Sequence, residues 1–511
     1  MSLLTRSPDR WHIWLAFYGY SLVAALSIQF VVLPYMFPHI HWGQGLMNGW
    51  DSITFHELSV EQAERILTEG WSTWSLTNLE GGPIVGVTST LYALTVSEPW
   101  ILIPLNALMH ASAAFVLVCV IEATINDRRI AMWSTLPFLI YPSAFSWYAQ
   151  VHPEGWFIFG NILFLFGWIK LIQIGTRNTS WLSSRLAVGS ILVGVFCAWI
   201  TREQSAFLMQ AFSGVFAAAL TAFALVKMVQ ARTVMFKMAY VVMLGWFITG
   251  AVTMLLTIND RTMTWMPGSA AWIARNNPSK GAVTIAPLNV EESPELPSSS
   301  TASPTASPTA APTAAPTAVP TAVPTAVPLY ATPYDSTRGG DGWRLTPWLP
   351  QSIDNLARGL AYARASFRRS YFGAGLNLDD HIGFSSIGDI LRYVPRATVI
   401  SLLAPFPEHW IGIGIKQGGT TMRRITGFEM SFVYVGVVLF PYAIWRWRTR
   451  FEIYLIIMYC FLSIMIFTLG TTNIGALYRF RYGFLMTLAA LGFSAGLTAI
   501  LRESTTDSVS S

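Results

Sequence analysis

Four short polar segments interrupt the long apolar runs of this sequence, and they supply the side chains that could do chemistry. The segments read NGWDSITFHELS, AQVHPEGW, ITREQSAF and ALYRFRYGF. Their acidic, histidine and arginine residues are Asp51, His56, Glu57, His152, Glu154, Arg202, Glu203, Arg479 and Arg481. Charged groups beside apolar spans are costly to place, so these residues are the first functional candidates.

The residue types are those needed to transfer a sugar. A carboxylate such as Asp51 can take the proton of a hydroxyl group that attacks an anomeric carbon. If the leaving group is a lipid phosphate, Arg481 or Arg202 can neutralise the charge that develops on it. We therefore predict catalytic roles for Asp51, Glu154 and His152. Substrate-binding roles are predicted for the rest of the set, His56, Glu57, Arg202, Glu203, Arg479 and Arg481.

Each segment also has a structural interpretation. Asp51 could cap the N-terminus of a following helix, and the HPEG turn could simply close a helix. The Arg-Glu pair at 202–203 could be a local ion pair. The two late arginines could reach lipid phosphates by extending along apolar surface. These alternatives predict effects on stability, whereas a site predicts effects on activity.

The composition indicates the class of protein that carries these segments. Of 511 residues, 53% are hydrophobic and 12% are charged, whereas soluble domains have about 25% charged residues. This excludes a cytosolic enzyme, a disordered chain and a fibrous protein. The net charge of +5 does not indicate a nucleic-acid partner, because the basic residues lie in small groups between apolar runs.

A membrane-crossing helix needs roughly 20 mostly apolar residues. The runs that qualify are 14–36, 99–121, 130–147, 155–175, 186–200, 205–227, 236–257, 428–446, 452–470 and 482–500. We therefore predict an all-α polytopic membrane protein with about ten transmembrane helices. None of the runs carries a charged residue stranded in its middle, and the two halves of the chain show no internal repeat.

The basic residues predict the orientation. With a cytoplasmic N-terminus, the basic residues of the connections on that side follow the positive-inside rule. They are Arg6, Arg10, Arg128, Arg129, Lys170, Arg177, Arg185, Lys227, Arg232, Lys237, Arg446, Arg448, Arg450 and Arg502. Both termini are then cytoplasmic. The acidic loop 37–98, whose only Lys or Arg is Arg65, falls outside. All four polar segments share that outer face, so we expect their side chains to form one extracytoplasmic site.

Two outer loops are large, 37–98 and 258–395. The first should hold a surface helix that starts in a capping box at Ser59 and stops at Gly70. The second contains TASP, TAAP and TAVP repeats over 301–328, which we expect to be extended and disordered.

The predicted organisation has three parts. Residues 397–414 are apolar but contain Pro405 and Pro407, so we predict a re-entrant or interfacial segment there rather than a span. The parts are a transmembrane core over 1–257, an outer loop over 258–395, and a re-entrant segment with C-terminal transmembrane helices over 396–511.

Longer stretches of the chain resemble a known family. The sequence WDSITFHELSVEQAERILTEGWSTWSL, followed by GGPIVGVTSTLYAL and PWILIPLNALMHASAA, resembles the amino-terminal part of GT-C membrane glycosyltransferases. The bacterial protein-mannosyltransferase-like and aminoarabinose-transferase-like enzymes are the most similar subgroup, and HPEG, TRE and RFRY are also similar to their patterns. The resemblance covers 11–257 and, more weakly, 390–500. That subgroup often has two adjacent acids in the first outer loop, whereas here Asp51 is followed by Ser52.

The resemblance implies a bacterial inner-membrane enzyme of the cell envelope. Its donor would be a polyprenyl-phosphate-linked sugar in the membrane lipid, and its acceptor a glycan, lipid or protein at the outer face. Some relatives use a divalent metal ion, and this sequence has no evident metal-ligand cluster. Two other functions stay open: a polysaccharide polymerase or ligase with its chemistry in the late outer loop, and a lipid-linked-sugar transporter or flippase with polar groups at the membrane midplane.

Overall fold

The computed structural model describes residues 9–48, 51–76, 81–176, 182–231, 236–257, 342–370, 376–414 and 418–510. The predicted disordered repeat, 301–328, lies outside the described residues, as does most of the second outer loop.

The first half of the chain is helical apart from one short hairpin. Its helices are Arg10–Ser27 (α1), Asp51–Glu69 (α2), Pro83–Leu94 (α3), Ile103–Ile125 (α4), Arg128–Leu139 (α5), Phe145–Tyr148 (α6), Glu154–Thr176 (α7), Leu182–Thr201 (α8), Glu203–Ala231 (α9) and Phe236–Thr257 (α10). A π-helix, Ile28–Met36, continues α1, and 3-10 turns cover Pro38–Ile40, Trp71–Thr73, Pro99–Leu102 and Pro142–Ala144.

The second half is helical as well. Its helices are Gln351–Ser370 (α11), Ile387–Leu403 (α12), Gly419–Arg446 (α13), Phe451–Gly470 (α14) and Ile474–Ser510 (α15), with a 3-10 turn at Pro407–His409. Because α12 ends at Leu403, residues 397–414 form no spanning helix.

Nine helices in the described part of the chain are long and apolar enough to cross a membrane. They confirm an all-α polytopic membrane protein. The predicted span 130–147 is wrong as a single helix: α5 ends at Leu139, and the turn Pro142–Ala144 separates it from α6. Pro137 and Pro142 explain the interruption, because proline has no N–H to donate and its ring clashes with the preceding turn.

The two ends of the helix bundle carry different ionic contacts. At one end, which we call the Arg10 end, Arg10 and Arg128 contact Glu122 at 3.2 and 3.1 Å. At the other, the Asp51 end, Asp51 contacts Arg479 at 3.0 Å. Since Arg128 begins α5 and α7 begins at the Asp51 end, α5 and α6 together carry the chain from one end to the other.

Helix α7 is the central helix of the bundle. In its apolar stretch 83% of the residues are buried, against 22% in the apolar stretch of Arg10–Met36. Aromatic rings surround it: Trp168 packs on Phe216 with centroids 5.5 Å apart, and Phe164 on Tyr459 at 5.3 Å. Close packing of this kind drives helix association in a membrane. It fixes the position of Glu154, the first residue of α7.

The segment predicted to be the first outer loop folds as a hairpin followed by two helices. Strands β1 (His41–Gly43) and β2 (Leu46–Met47) pair antiparallel. Helix α2 begins at Asp51, so the predicted start at Ser59 is wrong: the Ser59 hydroxyl donates to the Phe55 carbonyl inside the helix at 2.6 Å. Gly70, with φ of 93°, follows the last residue of α2, as predicted.

Helical burial explains why α2 starts early. Its buried residues include Ser52, His56, Ser59, Ala63 and Ile66. They recur every three or four positions, which is the period of a helix with one face against the protein. That pattern begins at Ser52, so tertiary packing extends the helix beyond the capping box.

Candidate functional site

Asp51 and Arg479 meet at the Asp51 end although 428 positions separate them in the chain. Asp51 is the first residue of α2, and Arg479 lies in the second turn of α15. Arg479 Nη1 donates to Asp51 Oδ2 at 3.0 Å. The Asp51 side chain is 55% exposed and the Arg479 side chain 15%. The carboxylate is therefore accessible, and the guanidinium behind it is mostly covered.

His152 lies on the inner side of Arg479. Arg479 Nη1 is 2.7 Å from His152 Nε2. Because a guanidinium can only donate, Nε2 is the acceptor, and the imidazole proton is on Nδ1. Nδ1 in turn contacts Glu154 Oε2. The orientation of the ring is thus set from both sides.

Glu154 is the most deeply placed carboxylate of the site. Its side chain is fully buried, and Arg202 Nη2 donates to its second oxygen. The Arg202 guanidinium also lies over the Phe480 ring, 4.0 Å from the centroid. A cation over an aromatic face is attracted by the ring quadrupole, so Arg202 is held by both α7 and α15.

These five residues form a continuous chain of contacts that we call the Asp51 network: Asp51, Arg479, His152, Glu154 and Arg202. All four polar segments found in the sequence contribute to it. The network brings two carboxylates and two guanidinium groups together around the imidazole of His152.

The members of the network differ in whether they can contact a substrate. Asp51 can contact a substrate, whereas His152 is 2% exposed and Glu154 is fully buried. A mostly buried arginine with an exposed carboxylate in front of it can bind an anion and place a base beside it. His152 and Glu154 can orient that arginine from behind.

Gln150, two residues before His152, attaches the hairpin to this site. Its Oε1 accepts from Met47 N at 3.0 Å, and its Nε2 donates to Gly45 O at 2.9 Å. The Ser52 hydroxyl, next to Asp51, approaches the same Oε1 at 3.4 Å. Gln150 therefore positions the start of α2. Its place in the segment AQVHPEGW was the sequence signal for this role.

Three predicted residues, His56, Glu57 and Arg481, lie outside the Asp51 network. His56 is buried against Tyr92, with its Nδ1 2.9 Å from the hydroxyl, and burial lowers the pKa of His56. This contact holds α2 on α3. Glu57 lies on the exposed side of α2. Glu203 begins α9, but its side chain is outside the described part of the structure.

The Arg481 side chain lies in a different environment from the predicted one. It is 1% exposed and donates to Ile400 O at 2.9 Å, to Ser401 O at 2.7 Å and to Ala404 O. These carbonyls end α12, where a helix leaves acceptors without partners. In this structure Arg479, two positions earlier, has the place next to Asp51.

Sequence reasoning missed a second group, the Glu429 cluster. Glu429 is 1% exposed and lies ten residues inside α13. It accepts from Ser143 N and Oγ, and from Tyr478 OH at 2.8 Å, and Tyr141 OH lies 2.6 Å from Tyr478 OH. Glu429 therefore lies well within a helix long enough to span a membrane, and the prediction that no span carries a charged residue stranded in its middle is wrong. The apolar run 428–446 made Glu429 look terminal, but the helix starts at Gly419.

The described residues contain no group of three or more His, Cys, Asp or Glu side chains that could hold a metal ion. One cavity of about 310 Å³ is lined by Arg344, Leu345, Thr346, Pro347, Ser386, Gly388, Asp389 and Arg392. It lies at the start of α12 and includes no member of the Asp51 network. We place the candidate site at the Asp51 network, because the converging charges are there.

Comparisons with protein families, with curated proteins and with solved structures find no match to this chain.

Proposed function

We propose that the protein is a membrane glycosyltransferase that moves a sugar from a polyprenyl-phosphate carrier to an acceptor at the Asp51 end. The resemblance of the first outer loop to GT-C glycosyltransferases motivates the reaction class. The positive-inside distribution of basic residues supports an extracytoplasmic Asp51 end and cytoplasmic termini. The acceptor is a glycan, a lipid or a protein of the cell envelope.

The pairing of Asp51 with Arg479 carries this proposal. An exposed carboxylate and a mostly covered guanidinium lie 3.0 Å apart, on helices from opposite ends of the sequence. Arg479 is oriented by His152 at 2.7 Å, and His152 by Glu154. A site that must hold an anionic leaving group and deprotonate a hydroxyl needs both groups within reach of one substrate.

The reaction follows from these positions. The donor phosphate binds Arg479 and competes with Asp51 for its N–H groups, which leaves the carboxylate available as a base. Asp51 takes the acceptor's hydroxyl proton as the oxygen bonds to the anomeric carbon. The bond from that carbon to the phosphate oxygen breaks, and Arg479 stabilises the charge left on the polyprenyl phosphate. Direct attack of this kind inverts the anomeric centre.

Purified protein in lipid nanodiscs, given radiolabelled polyprenyl-phosphate sugars and envelope extracts as acceptors, tests the proposal. We expect transfer of label by the wild type. Asp51→Asn keeps the size of the side chain and removes the base, so turnover per folded molecule should fall by about 100- to 10,000-fold. Donor binding should survive.

The matched control is Glu61→Gln, which removes an exposed carboxylate from the same helix and should leave turnover unchanged. If Asp51 only supports the N-terminus of the helix, Asp51→Asn removes its charge there and lowers stability by about 0.3–1 kcal/mol, and turnover per folded molecule stays normal. That result would remove Asp51 from the mechanism. Movement of labelled lipid across vesicles without sugar transfer would instead support a flippase.

A further inference from the structure

The interruption between α5 and α6 creates a need for hydrogen bonds inside the bundle. A broken helix leaves N–H and C=O groups without intrahelical partners, and hydrocarbon offers none. At this break the Ser143 N–H donates to one oxygen of Glu429, and the Ser143 hydroxyl donates to the other. A carboxylate from α13 thus replaces the missing turn of helix.

Glu429 also binds α15. The Tyr478 hydroxyl donates to Glu429 Oε2 at 2.8 Å and pairs with the Tyr141 hydroxyl at 2.6 Å. Helices α13 and α15 cross closely: a Cβ on Gly436 would stand 2.7 Å from the Ala489 Cβ. The small residues at this crossing let the two backbones approach, which brings Glu429 within reach of Tyr478.

Both sides of the contact between Arg479 and His152 are attached to this cluster. Tyr478 is the chain neighbour of Arg479 on α15. Ser143 lies two residues before α6, which leads through Gln150 to His152. The 2.7 Å contact between Arg479 and His152 therefore joins two segments that Glu429 also holds together.

We propose that Glu429 is a positioning residue for the Asp51 network: its carboxylate joins the α5–α6 break to α15 and so sets the contact between Arg479 and His152. This positioning role deepens the proposed function. Its expected effect on sugar transfer rests on the proposed function, whereas its expected effect on His152 does not. A purely structural role would affect folding without changing the environment of His152.

Glu429→Gln tests the proposal, because glutamine keeps the size but puts an N–H₂ group in place of an oxygen that accepts from one or two donors. The readout is carbethoxylation of His152 by diethyl pyrocarbonate, followed by peptide mass spectrometry on the folded protein. In the wild type His152 should react slowly, since it is 2% exposed and its Nε2 is engaged. Loss of buried hydrogen bonds should raise the rate about tenfold. Exposed His39 and His381 serve as internal references.

The matched control is Glu452→Gln. Glu452 is another buried carboxylate, 6% exposed, at the start of α14, where Gln173 Nε2 donates to it at 3.3 Å. This variant should leave His152 reactivity at the wild-type value. If Glu429→Gln does not fold, Ser143→Ala removes one of the donors to Glu429 and should raise the rate by a smaller factor.

Two results would overturn the positioning role. One is wild-type His152 reactivity in the folded Glu429→Gln or Ser143→Ala variants. The other is an accelerated His152 reaction with unchanged sugar turnover in an active protein. If the wild type transfers no sugar at all, the proposed function fails, and the reactivity of His152 still decides whether Glu429 positions it.

Discussion

The Asp51 network and the Glu429 cluster include neighbouring residues of α15, and each contains a buried carboxylate. The two carboxylates differ in the charge of their partners. Glu154 in the network is held by Arg202 and His152, and its chain of contacts ends at the 55% exposed Asp51. Glu429 is 1% exposed and is held by three neutral donors. One group reaches the surface through charged residues, and the other is sealed.

This difference suggests a division of labour. Charged partners can exchange one anion for another, so a phosphate can replace Asp51 on Arg479 with little change elsewhere. Hydroxyl and amide donors that all converge on one carboxylate already have a hydrogen-bond acceptor and are not available to bind a ligand. The network is therefore suited to binding, and the cluster to holding the surrounding segments in place.

Removing a charge from the network should have the largest effect on stability. Arg202→Met leaves Glu154 buried with a single contact, which should lower the free energy of unfolding by about 3 kcal/mol, the low end for a broken buried ion pair. We use the low end because 22% of the Arg202 side chain is exposed. Unfolding in increasing mole fractions of sodium dodecyl sulfate measures it.

The double variant Glu154→Gln/Arg202→Met removes both charges and should recover part of that loss. Glu429→Gln changes a group with neutral partners and should cost only about 1–3 kcal/mol. Equal losses for Arg202→Met and Glu429→Gln would show that charge is not what distinguishes the two regions.

Arg479→Gln should act on binding more than on stability. A hydrogen bond to a charged group contributes about 1.5–3 kcal/mol, so donor affinity should fall by about 10- to 100-fold, with turnover reduced as well. Equilibrium binding of a labelled polyprenyl-phosphate sugar measures the loss. The control is Arg65→Gln, which removes an exposed arginine from α2; an equal loss there would indicate a general effect of surface charge.

Hydropathy and charge predicted the class of fold and the convergence of the four polar segments. Long apolar runs need helices in a membrane, and alternating crossings place every second connection on the same side. This parity is enough to bring Asp51, His152, Arg202 and Arg479 to one end. It holds even though one crossing is broken, because α5 and α6 still carry the chain across the bundle.

The choice between Arg479 and Arg481 could not be made from the sequence. Two positions apart on a helix, their side chains point roughly 200° apart around the axis. Which of them faces Asp51 depends on how α15 packs, and the structure turns Arg481 toward the carbonyls that end α12. Glu429 was missed for a related reason: the end of an apolar run does not mark the end of a helix.

Tyr478→Phe should have a moderate effect that separates the two regions. It removes a hydroxyl that donates to Glu429 at 2.8 Å, which should cost about 1 kcal/mol of stability. Tyr459→Phe is the matched control, because its buried hydroxyl donates to Asn161 Oδ1 at 2.7 Å and not to Glu429. Both variants should be destabilised alike, and only Tyr478→Phe should make His152 more reactive. Equal His152 reactivity in the two variants would show that the Glu429 cluster does not position the Asp51 network.

The smallest expected effect is a pH dependence of the packing between α3 and α2, the helix that begins at Asp51. Burial lowers the pKa of His56 below its usual 6.5, so an opened α2 binds a proton more readily than the packed one. The contact of α2 with α3 is therefore fully stable above about pH 6.5 and weakens as the pH falls, by less than about 1.4 kcal/mol per unit.

Hydrogen exchange between about pH 7.5 and about pH 5.5, corrected for the intrinsic exchange rate, measures this weakening. In the wild type the amides of α2 should lose protection at the lower pH, and those of α13 around Glu429 should not. His56→Gln can still hydrogen-bond to Tyr92 but does not titrate, so its α2 protection should be independent of pH. Equal losses in α2 and α13 would mean that acid acts on the whole bundle. The segments that carry the Asp51 network and the Glu429 cluster would then have the same dependence of stability on pH.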